Sequence, residues 1–206
     1  GGQPIDLIVD LREGGHHSGN WGGLLRNPGT VLANAIASMV DGRGRILVPA
    51  LRPPPIPVNV RAALAGLTFG GDAGDPAVDA EWGEPGLTSA ERVIAWNTLE
   101  VLAYRTGNPD HPVNAIPPSA KATMHMRFVV GTDVSRVREV VRAHLAQQGF
   151  GEFRRAATRV ATHRQLGAPQ PARHRTSDPV GVVGAHLVGN HSANVIGLED
   201  RHGGAV

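Results

Sequence analysis

Residues 120–130 alternate between apolar and polar side chains, with Met124, Met126 and Phe128 projecting one way and Thr123, His125 and Arg127 the other. A period of two over that length predicts a strand with one buried and one polar face. The period then changes to that of a helix. Over residues 133–148, Val134, Val137, Val141 and Leu145 share one side and Arg136, Arg138 and Arg142 lie largely outside it, with Gly149 as the C-terminal stop. A strand with one apolar face, followed directly by an amphipathic helix, has to fold the helix back over that face.

The front of the chain repeats this logic. Residues 5–12, rich in Leu and β-branched side chains, predict a strand, and the Gly-rich stretch 14–23 predicts a loop. Asn27 followed by Pro28 is a helix start, after which Val31, Leu32, Ala35, Ile36, Met39 and Val40 form one apolar stripe. Asp41-Gly42 stops that helix, and Arg45–Val48 predicts a second strand. Residues 49–60 carry five prolines and exclude regular helix or central strand. Helical patches are expected near 57–66 and 88–103, the second opened by Thr88 with Glu91 as a capping box. Residues 153–160 suggest a last strand, and 163–180 carry no pattern of an ordered element. The order strand, helix, strand, insertion, strand, helix, strand predicts an α+β fold, a ferredoxin-like split βαβ sandwich. Its antiparallel sheet would carry two main helices on one face, leaving one sheet edge free for a partner. The expected domain runs over 1–160, with a helical or irregular insertion at about 49–110 and a poorly patterned tail at 161–206.

Composition narrows the classes. The 206 residues are 41% hydrophobic and 18% charged, ordinary for a water-soluble globular chain. No apolar run approaches the ~20 residues that span a bilayer, and no signal peptide is visible, so neither membrane insertion nor export is expected. Cysteine is absent, which excludes thiolate metal sites and cysteine nucleophiles and fits a cytoplasmic location. The net charge is only +2, with acids interspersed among the arginines, which argues against a nucleic-acid surface.

Two constellations could carry chemistry. His17 sits in His17-Ser-Gly-Asn-Trp-Gly-Gly23, where glycines leave an imidazole free to swing into a cleft and donate to a developing oxyanion. The same glycines would equally make a tight connection with His17 a solvated loop residue. Asn114, in Asn114-Ala-Ile-Pro-Pro118, precedes the alternating strand that holds Arg127. An amide and a guanidinium near one site would suit a substrate carboxylate. Alone, they read as well as a turn residue and a surface charge.

The ordered series decides between these readings. His17-Ser-Gly-x-x-Gly-Gly23, Asn27-Pro28, Asp41-Gly-Arg-Gly-Arg-Ile-Leu-Val48, Asn114-Ala-Ile-Pro117 and Ala120-x-Ala-x-x-x-x-Arg127 follow one another. Together they resemble the metallopeptidase family of acetylornithine deacetylase, succinyl-diaminopimelate desuccinylase, aminoacylase, carnosinase and carboxypeptidase G. The resemblance covers about residues 5–150 and is to the inserted lid domain, which is also the dimerisation domain. It implies that His17 reaches into the partner subunit's active site as an oxyanion donor. It implies that Asn114 and Arg127 hold a small amide substrate, the Arg on its free carboxylate. The implied partners are a second copy, paired through the sheet edge, and a catalytic domain with two zinc ions and a glutamate base. This chain departs from the family's catalytic motifs: it has no His-x-Asp and no Glu-Glu pair, so no metal ligand is assigned here and the isolated chain is expected to be inactive. The alternative function is a pure association module in which His17 and Arg127 are idle.

Overall fold

In a computed structural model, which describes residues 1–150, the expected α+β architecture is present. Strand β1 (Gly2–Asp10) leads through a short strand β2 (His16–His17) and a single helical turn α1 (Ser18–Trp21) to helix α2 (Pro28–Met39). Helices α3 (Val58–Leu64) and α4 (Ser89–Ile94) precede strand β3 (Thr98–Thr106), which is followed by β4 (Ala115–Ile116), β5 (Ser119–Arg127) and helix α5 (Val137–Leu145). The main sheet is antiparallel with order β1-β5-β3, and β2 pairs with β4 as a separate two-residue ribbon. The strand expected at 153–160 lies outside the described residues.

One apolar cluster holds sheet and helices together. It takes Ile5, Leu7 and Val9 from β1, Ala122, Met124 and Met126 from β5, Leu32, Ala35 and Met39 from α2, and Val137, Val141 and Leu145 from α5. Met124, Met126, Leu32, Ala35, Met39, Val137, Val141 and Leu145 are side chains that the two periodicities placed inward. Asn27 caps α2 by accepting from the Gly29 and Thr30 backbone N–H groups, and Thr88 with Glu91 closes a reciprocal capping box on α4.

Two expected elements differ. Arg45–Val48 is not a sheet strand: only Val40 and Ile46 form a bridge, although Ile46 and Val48 are buried. Pro49 follows at once, and Asp41 folds the turn back on itself by accepting from the Arg43 and Arg45 backbone N–H groups. The helix expected over 88–103 stops at Ile94, and the chain turns at Trp96-Asn97 into β3. The irregular insertion therefore ends at Asn97 rather than near 110, and the sheet's third strand comes from 98–106. Asn97 makes that turn possible. It is 2% exposed, donates to the Leu51 carbonyl at 2.9 Å and accepts from the Val129 N–H at 2.9 Å, with the Thr132 hydroxyl 3.1 Å from its Nδ2.

Strand β3 is one of the two sheet edges, opposite β1, and most of its length is exposed. Leu99 is buried, but Val101, Leu102 and Tyr104 are 44%, 62% and 41% exposed. A bulge between Val101 and Ala103 interrupts its register with β5. Beside it runs a groove of about 410 Å³ whose walls include Ile36 of α2 and Val40 just beyond it, Trp82 of the insertion, and Leu99 and Val101. Trp82 lies flat against Gly44, where a Cβ would come within 2.6 Å of the indole.

Candidate functional site

His17 and Asn114 come together on the β2–β4 ribbon. Ser18 donates its backbone N–H to the Asn114 carbonyl at 2.9 Å, and His17 pairs in register with Ala115. Both His17 and Asn114 are exposed. The His17 Nδ1 accepts from the Gly19 N–H at 3.1 Å and so caps α1. That contact assigns Nδ1 as the acceptor nitrogen, which leaves the proton of the neutral ring on Nε2.

Neighbouring residues fix the ribbon. His16 turns to the opposite face from His17, half-buried, with its ring edge-on to Trp21 at 6.1 Å between centroids. It is thus an anchor of the α1 turn rather than a bystander. Arg12, at the exit of β1, donates to the Arg26 carbonyl at 2.6 Å and to the Pro117 carbonyl at 3.4 Å. It ties the segment before α2 to the link between β4 and β5. Sequence reasoning placed Arg12 at the end of the expected 5–12 strand and gave it no role.

Arg127 lies elsewhere. It is the last residue of β5, in register with Gly2 on one side and Thr98 on the other, whereas the ribbon adjoins the Ser119 end of the same strand. Eight steps at about 3.3 Å each separate the two ends by roughly 26 Å. Within one copy, the structure does not bring the amide of Asn114 and the guanidinium of Arg127 to one site. Arg127 is exposed, and its Nη1 lies over Gly2, where a Cβ would come within 3.1 Å.

His125, on the same open face, titrates below the ordinary imidazole range because burial disfavours its charged form and Arg127 repels it. Its Nε2 is buried with no hydrogen-bond partner among the described residues. The unfolded chain takes up this proton first, so the stability contribution is complete above about pH 6.5 and declines as the pH falls through that value. Urea unfolding of wild type and His125→Gln between about pH 8 and pH 5 checks this, with a shallower acid-side decline expected for the variant. Identical pH slopes would contradict it.

The described residues thus form an antiparallel α+β sandwich with an exposed edge strand and a polar two-residue ribbon at one end. Residues 8–151 match the model of the M20 peptidase dimerisation domain, and the chain belongs to that family. No curated protein matches the sequence. Among solved structures, the chain is similar to an M20-family metallo-carboxypeptidase from Sulfolobus solfataricus, with 24% identity and a TM-score of 0.57 over 73% of this chain and 40% of the other. It is also similar to human carnosine dipeptidase 1, with 23% identity and a TM-score of 0.56 over 71% of this chain and 32% of the other. The di-peptidase Dug1p of Saccharomyces cerevisiae gives 16% identity and a TM-score of 0.54 over the same shares. At these identities the likeness is one of fold, and this chain spans less than half the length of each. The family's enzymes are metallopeptidases. Among the described residues, no group of three or more His, Asp or Glu could hold a metal ion, so this part of the chain does not fit a metal centre. No helix among them is long and apolar enough to cross a membrane.

Proposed function

We propose that this chain is the lid and dimerisation part of a metal-dependent amide hydrolase of N-acyl amino acids or small dipeptides, and that two copies pair through their β3 edges. The lid is taken to run over residues 1–160, with 161–206 outside it. Family membership and likeness to a carboxypeptidase and two dipeptidases support the reaction class. The bare, partly apolar β3 edge supports the pairing.

The observation that carries the reading is that the His17–Asn114 ribbon adjoins the Ser119 end of β5 while Arg127 is its other end, roughly 26 Å along the strand. A dipeptide spans only about 7 Å, so one copy cannot bring both ends onto a single substrate. Two-fold pairing runs one β3 antiparallel to the other, which sets the ribbon end of one copy beside the Arg127 end of its partner. His17 then acts in trans. Its Nε2–H donates to the substrate carbonyl oxygen as negative charge develops there, and the Asn114 amide helps to hold the substrate. Arg127 grips the free carboxylate with its two-pronged guanidinium. Bond cleavage itself belongs to a catalytic domain.

Sedimentation equilibrium tests the pairing. The 21.6 kDa chain is expected to approach twice that mass with rising concentration. Val101→Lys, which puts a charge on an already exposed edge position, is expected to weaken the dimer at least about tenfold while leaving the circular dichroism spectrum unchanged. A strict monomer at millimolar concentration, or a dimer indifferent to Val101→Lys, would contradict pairing through β3.

A further inference from the structure

Helix α1 is a single turn of four residues, none of them buried. Such a turn is not stable on its own in water, since forming it fixes about six dihedral angles for one hydrogen bond. The His17 ring nevertheless rests on it. Its Nδ1 accepts from the Gly19 N–H at 3.1 Å, and a Cβ at Gly19 would come within 2.9 Å of the ring's Cε1. The direction of the free Nε2–H is therefore set by the turn as much as by the strand that carries His17. Two contacts anchor the ends of that turn to the ribbon. At its start, Ser18 donates its backbone N–H to the Asn114 carbonyl at 2.9 Å. At its end, the Trp21 indole meets the His16 ring edge-on, with centroids 6.1 Å apart and planes at 87°. The Nδ1 of His16 is buried with no hydrogen-bond partner among the described residues, so on that side packing holds the ring.

We propose that His16 and Trp21 are a positioning pair that holds the turn under the His17 ring and so aims its Nε2–H. The inference rests on the reading of His17 as the oxyanion donor. Adjacent residues on a strand project to opposite faces, so one two-residue strand grips the turn twice. His17 caps its start and His16 clasps its end. Neither His16 nor Trp21 touches the substrate. Without the His16 ring, the ribbon holds the turn at Ser18 alone among the described residues. The turn then frays, the Gly19 N–H leaves Nδ1, and the imidazole rotates away from one direction. A donor that has lost its aim costs turnover rather than substrate binding.

Two readouts test the pair. In the isotope-labelled full chain at about pH 8, above the imidazole range, a magnetic coupling across the hydrogen bond links the Gly19 amide nitrogen to His17 Nδ1. His16→Ala and Trp21→Ala are expected to lose that coupling. His16→Phe, which keeps a ring edge against the indole, is expected to retain it. In an enzyme carrying this lid, His16→Ala is expected to lower kcat at least about tenfold with KM little changed, and His16→Phe to restore kcat. No coupling in the wild-type chain, or coupling intact in His16→Ala, overturns the positioning pair whatever the kinetics show. A His16→Phe chain that loses the coupling as His16→Ala does overturns packing as the means of holding the turn. Coupling lost in His16→Ala with kcat unchanged leaves the pair standing and overturns the reading of His17 as the donor.

Discussion

In an enzyme carrying this lid, His17→Ala is expected to lower kcat by about 10²–10³-fold while KM changes little. The split follows from the geometry. His17 is exposed on a two-residue strand, and its Nδ1 is engaged with the Gly19 N–H, so only Nε2–H is available. A donor aimed at charge that exists only in the transition state contributes nothing to ground-state binding. Arg127→Ala should behave differently and raise KM, since a carboxylate clamp holds ground and transition states alike. Steady-state kinetics on one N-acyl amino acid separates the two. A His17 variant with unchanged kcat, or one whose loss appears wholly in KM, would contradict the oxyanion role.

The second large effect is on stability. Asn97→Ala is expected to destabilise the domain by about 2–3 kcal/mol, because removing the amide leaves the Val129 N–H and the Leu51 carbonyl without their partner in a water-poor setting. Asn97 links three pieces of chain, the Pro-rich segment at Leu51, the start of β3 and the turn after Arg127, so the loss should be felt as a cooperative shift. For a domain of this size it lowers the melting temperature by about 5–10 °C. Equilibrium unfolding in urea reads it directly. A change below about 0.5 kcal/mol would mean that water replaces the amide without penalty.

How much of this was legible in the sequence depended on whether a segment's periodicity had one solution. Met124, Met126 and their polar alternates could only be a strand, and Leu32, Ala35 and Met39 could only be one face of a helix; both form as expected. Residues 88–103 had two solutions. Val93, Ile94, Leu99, Val101 and Leu102 fit helical spacing, and no Gly or Pro interrupts them, yet Asn97 spends its side chain on tertiary hydrogen bonds and forces the turn into β3. That burial is a property of the fold, invisible in a local window. Arg45–Val48 erred the other way: Ile46 and Val48 are buried, but the segment makes only the Ile46–Val40 bridge before Pro49 ends it. Site residues followed a similar division. His17, Asn114 and Arg127 are proposed for the site from the order of their motifs. That Arg127 sits at the far end of β5 from the other two required the register with Gly2 and Thr98, which no motif encodes. The clamp at Arg12 likewise depends on two carbonyls, at Arg26 and Pro117, brought close only by folding.

Shared assembly of one site by two copies is the central claim, and subunit mixing tests it most directly. His17→Ala and Arg127→Ala lids, each joined to an intact catalytic domain, are each impaired alone. In a mixed dimer, the site holding the intact Arg127 receives the intact His17 of its partner, while the other site lacks both. Random mixing makes half of the dimers mixed, each with one competent site, so activity should recover to about a quarter of wild type. No recovery above the two separate variants would contradict a site completed in trans.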